Sequence, residues 1–254
     1  MEYNKELCII VVTHKDYKMP KEDIYLPVGV GPKKHMLTSV KVTDDNGNNT
    51  LASENEYYCE LTALRWAEEN LKANYIGMVH YRRYFGNRYD KKNVLTEKNA
   101  LKILKKQKII LPPKRRYISS VKKHYVNTLG SKKEQLALQL TLLSSVIKNE
   151  TPKYWNAFNK VMNSHSAHML NMFIMSHEDF EAYTEWLFSI LFSLDIKLKE
   201  NNVKFKRCMG ALSEFLLDTW IITNKKKYEE LPLIETEKNT LKKIKWVLKR
   251  KLFE

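Results

Sequence analysis

The sequence predicts a mixed α/β fold, a largely parallel sheet between helical layers. Short apolar runs such as Glu6 to Val12 (ELCIIVV) and Tyr75 to Val79 (YIGMV) have the length and continuous hydrophobicity of buried strands. Stretches with helical periodicity separate these runs, so strands and helices alternate along the chain. No internal repeat or low-complexity tract breaks the alternation.

The first strand, Glu6 to Val12, ends at Thr13-His14-Lys15-Asp16. Pro20, Pro27 and Pro32, with Gly29 and Gly31, then make an irregular loop around a short strand at Tyr25 to Val28. Asp44-Asp45-Asn46-Gly47-Asn48-Asn49 is a turn, and its acids are expected to be solvated. Ser53 opens a helix running to about Asn70, with Glu56 completing a capping box and Tyr57, Leu61, Leu64 and Ala67 on one face. Glu60 falls on that face. Either it lies at the edge and meets water, or it pairs with an arginine, since an unpaired buried charge is costly.

The second half follows the same logic. Glu97 to Lys106 is a basic helix, Lys108 to Leu111 a strand stopped by Pro112-Pro113, and Lys114 to Lys133, lacking any period, a mobile loop. Glu134 to Lys148 is a helix, and Thr151-Pro152 starts another that ends near Met162. Leu170 to Met175 (LNMFIM) reads as a strand, and Ser176 with Asp179 caps a long amphipathic helix through Leu198. Gly210 to Asn224 is helical and mostly apolar, with Glu214 and Asp218 on one side.

Composition bounds the function. The 254 residues suffice for a large core, and the apolar and charged fractions are those of a soluble globular protein. Three widely spaced cysteines form neither a disulfide framework nor a zinc pattern. With no membrane-spanning run and no signal peptide, the expectation is a cytoplasmic protein. A net charge of +15 points to an anionic partner: nucleic acid, anionic lipid or a phosphate-bearing substrate. The seven glycines include no dinucleotide fingerprint or P-loop, and no G-x-S-x-G elbow occurs. His165 and His168 have metal-like spacing but lack a third ligand, so no metal is expected there.

The strand at Tyr75 switches abruptly into His80, Tyr81, Arg82, Arg83, Tyr84 and Phe85. In open α/β sheets, ligands bind where strands end. Guanidinium groups there suit phosphate oxygens, because their planar fork donates in pairs and stays charged. The competing view makes both arginines surface charges.

These pieces together resemble a known family. VVTHKDYKMP, YLPVGVG, CELTALRW, YIGMVHYRRYF, LNMFIM and RCMGALSEFLL, in that order across roughly residues 7 to 222, are similar to a family of bacterial polysaccharide biosynthesis proteins. Its members occur among capsular and exopolysaccharide glycosyltransferases, and it has been labelled a domain of unknown function. The resemblance implies a GT-A-like, Rossmann-type mixed sheet over residues 1–233 that binds a nucleotide sugar. It further implies a UDP-sugar donor, with UDP-galactose and UDP-galactofuranose as candidates, and a polyprenyl-diphosphate-linked saccharide acceptor.

Carried onto this chain, the resemblance puts Thr13, His14, Lys15, Asn55 and Glu60 around the donor, and His168 and Asn171 on the acceptor side. For His14 and Lys15 the alternative is an exposed loop pair, and for His168 and Asn171 a capped structural strand. Many GT-A enzymes end the central strand in Asp-x-Asp, which holds a divalent metal, but here that position reads His80-Tyr81-Arg82. Arg82 and Arg83, with His80, are therefore expected to replace Mg or Mn on the leaving diphosphate, without a cofactor. Transfer also needs a base for the acceptor hydroxyl. Glu214 is the first candidate and Asp218 the second, with Arg207 assisting the diphosphate or pairing with the acid. A helix-surface salt bridge is the rival role for these residues.

Lys238 to Phe253 (KNTLKKIKWVLKRKLF) sets Leu241, Ile244, Leu248 and Leu252 on one stripe among basic residues. Such a basic amphipathic helix over residues 234–254 suits attachment to the inner face of the cell membrane. Packing on the protein's own core or on a second copy, giving a homodimer, is the alternative. The basic residues form no nucleic-acid recognition module. A nucleotide-sugar-binding or hydrolysing protein is the remaining rival to a transferase.

Overall fold

In the computed structural model, residues 5–38, 43–47, 51–87 and 93–236 are described. The strands are β1 (Leu7–Thr13), β2 (Tyr25–Gly29), β3 (Thr43–Asp44), β4 (Tyr75–His80), β5 (Arg83–Phe85), β6 (Lys108–Leu111), β7 (Arg115–Arg116), β8 (Ser166–Ala167), β9 (Phe173–Ser176), β10 (Lys227–Glu230) and β11 (Leu233–Glu235). The helices are α1 (Asn55–Tyr58), α2 (Leu61–Asn70), α3 (Glu97–Leu104), α4 (Val121–Asn127), α5 (Lys133–Glu150), α6 (Trp155–Asn163), α7 (His177–Glu200), α8 (Cys208–Ser213) and α9 (Leu216–Thr223). The main sheet runs β10-β6-β9-β4-β1-β2-β3, with β5 and β11 forming an antiparallel extension from the end of β4. The fold is thus mixed α/β, a mostly parallel sheet flanked by helices.

Burial on both faces explains the continuous apolar runs. In β1, Cys8, Ile10 and Val12 join the larger core under α2, α7 and α8. Leu7, Ile9 and Val11 join a smaller core with Tyr84, Phe85, Leu95 and Leu104. Between β4 and β9 the sheet is so tight that a Cβ on Gly77 would lie 2.8 Å from Ile174 Cγ1 and 2.9 Å from the Phe173 carbonyl oxygen.

Several local expectations are corrected. The segment from Lys114 to Lys133 is not a loop. Arg115 and Arg116 pair antiparallel with Ala167 and Ser166, and Ser120 caps α4 by accepting from the Lys123 N–H. Its short elements fall below the length at which periodicity shows. The helix from Ser53 is broken at Cys59, whose φ of +53° lies in the left-handed region, and no Ser53 cap forms. Strand β9 runs antiparallel to β4 and β6 and begins at Phe173, because Leu170 and Asn171 both have positive φ. Asp45 is fully buried against Lys34 Nζ at 2.5 Å, so only Asp44 behaves as a turn acid. The sheet continues through Glu235 in β11. No described helix is long and apolar enough to cross a membrane. The expected basic helix at residues 234–254 lies, beyond residue 236, outside the described residues.

A polar clasp ties α9 to the sheet edge. The backbone N–H of His168 donates to Asp218 Oδ2 at 2.9 Å, and His168 Nδ1 lies 2.5 Å from Asp218 Oδ1. His168 Nε2 reaches Glu230 Oε1 at 3.1 Å.

Two stability effects follow. Asp218→Ala leaves the buried His168 N–H and Nδ1 without the carboxylate that binds both, and is expected to cost about 3 kcal/mol. In thermal denaturation the melting temperature should drop by about 6–12 °C, and an unchanged midpoint would show the clasp to be idle. Gly77→Ala should cost about 1–3 kcal/mol by forcing β4 and β9 apart, read as a lower urea midpoint.

Candidate active site

Strand β1 is flanked by β2 on one side and β4 on the other, so the chain changes winding direction between β1 and β4. A crevice opens at the carboxyl ends of strands at such a point. Here it is a cleft of about 520 Å³, lined by His14 after β1, His80 and Arg82 at the end of β4, Asn55 and Glu60 beside the helix break, and Arg207 and Glu214 on either side of α8.

The strand end at His80 turns back at once. His80 pairs antiparallel with Arg83, so Tyr81 and Arg82 form the turn of a tight hairpin. Thr236 closes the turn from β11: its N–H donates to the Arg82 carbonyl at 3.1 Å and its hydroxyl to the Tyr81 carbonyl at 3.2 Å. The buried ring of Tyr81 is the hub. His14 meets it edge-on at 5.2 Å, and Lys15 Nζ and Arg82 Cζ lie 5.2 and 5.3 Å from its centroid. Cations over an aromatic face are held without being neutralised. Arg83 is half-buried, and burial, then the charges of Arg115 and Arg82, pull its guanidinium below its ordinary value. Its Nε lies 3.9 Å from Glu235 Oε1, beyond hydrogen-bond range. Lys33, Lys206 and Arg207 complete a cationic wall, with Lys206 paired to Glu56 at 2.8 Å.

Glu214 lines the same cleft. Burial, reinforced by the nearby charge of Glu60, raises its carboxyl to about 7, while Arg115, the Leu170 N–H and Arg207 pull the other way. The Leu170 carbonyl accepts from His80 Nε2 at 2.7 Å. A carbonyl can only accept, so Nε2 carries a proton in this arrangement. One peptide neighbourhood thus orients both the histidine and the acid. The adjacent Asn171 is buried. Its Nδ2 donates to Glu60 Oε1 at 2.8 Å and lies within bonding distance of the Gly210 carbonyl and Ser213 Oγ. Glu60 is therefore bonded to an amide, neither simply water-exposed nor tied to an arginine.

The helix break serves the same cleft. Asn55 Nδ2 donates to the Cys59 carbonyl at 2.9 Å and reaches Thr62 Oγ1 at 3.1 Å, bracing the interrupted turn. Gly31, at φ +79°, backs onto it, where a Cβ would lie 2.9 Å from Asn55 Oδ1. Arg207 takes φ +66° just before α8 and donates its N–H to the Glu56 carbonyl at 2.8 Å. Strained backbone clustered around one cavity is a feature of functional sites.

The expected site residues thus divide. His14, Asn55, Glu60, His80, Arg82, Arg83, Arg207 and Glu214 line the cleft. Thr13 lies beneath it, fully buried, its hydroxyl donating to the Lys15 carbonyl at 2.5 Å. Lys15 is exposed above Tyr81. Asn171 supports the cleft from behind. His168 and Asp218 belong to the clasp and do not line the cleft, because the break between α8 and α9 turns Glu214 one way and Asp218 another. Lys33, Lys206 and Leu170 were not anticipated. The lysines sit in loops with no pattern, and Leu170 acts through its backbone. Among the described residues, no three His, Cys, Asp or Glu side chains are grouped so as to hold a metal ion.

No curated protein matches the chain. Among solved structures it is similar to the apo structure of WbbM, a bifunctional glycosyltransferase, with 24% identity and a TM-score of 0.80 over 91% of this chain. That likeness is one of fold, and it spans 45% of the WbbM chain. Residues 8–226 match DUF4422, a domain of unknown function, and the chain belongs to that family.

Proposed function

We propose that this protein is a glycosyltransferase that moves a hexose from a UDP-sugar to a saccharide acceptor. The observation that carries the proposal is a single cleft lined both by a cluster of cations and by a carboxyl raised to about 7. The fold shared with WbbM, a bifunctional glycosyltransferase, supports it.

In this reading the donor diphosphate lies against Arg82, Arg83, Lys206 and Arg207. The acceptor oxygen attacks the anomeric carbon as the bond from that carbon to the diphosphate oxygen breaks, its electron pair leaving with UDP. The hydroxyl proton passes to Glu214. A base with a value near the working pH balances availability against strength. The guanidinium and ammonium groups stabilise the departing charge by charge-assisted hydrogen bonds, the task a divalent metal performs elsewhere. His80, its Nε2–H committed to Leu170, presents Nδ1 as the remaining polar atom of its ring. Capsular or exopolysaccharide assembly, a galactose or galactofuranose donor and a polyprenyl-diphosphate-linked acceptor at the inner membrane face rest on family resemblance.

A thermal-shift screen of nucleotide sugars tests the donor class, since a ligand bound only by the folded state raises the midpoint. A UDP-sugar should do so, and silence across the whole panel would sink the proposal. Arg82→Ala should weaken UDP binding by about 10–100-fold, with EDTA leaving turnover intact. Complete loss on chelation would reassign the diphosphate to a metal.

The acid gives opposite trends with pH. Its folded value is raised above 4.5, so its stabilising contribution is full below that value and is lost as pH rises through about 7. Activity should climb through the same window, since only the carboxylate accepts a proton. Glu214→Gln should lower kcat by about 10²–10⁴-fold, leave UDP affinity nearly unchanged and flatten the stability trend. Retained turnover would move the base elsewhere.

A further inference from the structure

A second, smaller cavity of about 190 Å³ lies next to the cleft, between β7, α4 and the junction of α8 with α9. Glu214 lines both cavities. We propose that this smaller cavity is the acceptor subsite and takes one pyranose ring. The inference rests on the transferase reading and names a part of the site that reading leaves open.

A base that serves group transfer must reach the acceptor hydroxyl while the donor carbon lies within attack distance. A residue common to two adjoining cavities meets that requirement if one cavity holds each substrate. The larger, at about 520 Å³, suits a nucleotide sugar, and the smaller is little more than a third of that size. The lining of the smaller cavity also suits a sugar. Tyr117 and His124 both line it and stack on each other with centroids 4.2 Å apart and planes at 27°, an aromatic pair of the kind that packs against the apolar C–H face of a pyranose. Arg115 and Glu214 offer charged partners for hydroxyl groups, and Met169 adds apolar surface.

The wall is anchored. The Tyr117 N–H donates to the His165 carbonyl and the Val121 N–H to the Ser164 carbonyl, both at 2.8 Å. Arg115 is held in register with Ala167. The lining also includes Phe215, against which Tyr125 packs edge-on at 5.3 Å while its hydroxyl donates to Gln139. The ordered structure of residues 114–133, unexpected from sequence, is what creates the cavity. It also moves the acceptor side away from His168, which the clasp occupies, and from Asn171, which holds Glu60 from below.

The test uses the full chain. UDP binding is measured by calorimetry, and binding of a panel of p-nitrophenyl hexopyranosides by saturation-transfer NMR in the presence of UDP. Tyr117→Ala should weaken glycoside binding by about tenfold, Tyr117→Phe should retain it, and Thr128→Trp, at an exposed position on the rim, should abolish it by filling the cavity. UDP affinity should stay unchanged in all three variants. The subsite is overturned if Thr128→Trp binds glycosides like the wild type, or if the wild type binds UDP and no glycoside. It is also overturned if Tyr117→Ala loses UDP, which would make the aromatic wall a nucleobase platform. Glycoside binding that Thr128→Trp abolishes, in a protein that ignores UDP, would keep the subsite and remove the donor reading.

Discussion

Leu170 holds a φ of +86°, a conformation that a leucine adopts only when its surroundings impose it. Such strain costs about 1–3 kcal/mol, and the hydrogen bonds around this peptide show what offsets it. The Leu170 carbonyl accepts from His80 Nε2 at 2.7 Å, and its peptide dipole bears on the Glu214 carboxyl. The next residue, Asn171, also at positive φ, bonds Glu60. Two consecutive left-handed residues thus link the end of β4, the break after α8 and the break before α2. A chain that passed straight into β9 would carry these groups away from the cleft.

The charges around this peptide explain the rest of the site. Burial raises Glu214 first, and the repulsion of Glu60 in the same cleft adds to it. Burial, followed by the charges of Arg115 and Arg82, lowers Arg83. Acid and base are thus shifted in opposite directions, Glu214 upward and Arg83 downward, each with its charged form disfavoured by burial. On the proposed reading, a diphosphate would relieve the cationic side, and cations held in place beforehand are what that reading requires. Preorganised charge of this kind stabilises a leaving group without reorganisation during reaction.

How much of this the sequence revealed depends on the range of the interaction. The central strand, its histidine and its arginines are visible because a buried parallel strand is a continuous apolar run and its end is abrupt. The long helix after Ser176 announces itself with a cap, and the Ser176 hydroxyl does accept the Asp179 N–H at 3.2 Å. What escaped are features that are not periodic. The breaks at Cys59 and after Ser213 sit within helical patterns, since the flanking turns keep their apolar spacing. The antiparallel direction of β9 cannot be read from its composition, because a strand buried on both faces looks the same in either direction. Residues 114–133 are organised by pairing with Ser166 and Ala167, some fifty residues further on.

Glu214 and Asp218 show the limit most clearly. Four residues apart in a helical pattern, they belong on one face, and nothing in their spacing assigns different tasks. The chain ends α8 at Ser213 and restarts at Leu216, and that short interruption rotates the two acids apart. Asp218 turns inward, where the His168 N–H and imidazole satisfy both its oxygens. Glu214 lines both cavities, and burial there raises its carboxyl. An acid whose oxygens are both claimed by the fold contributes to stability, whereas one that lines two adjoining cavities is, on the proposed reading, the one that takes the proton.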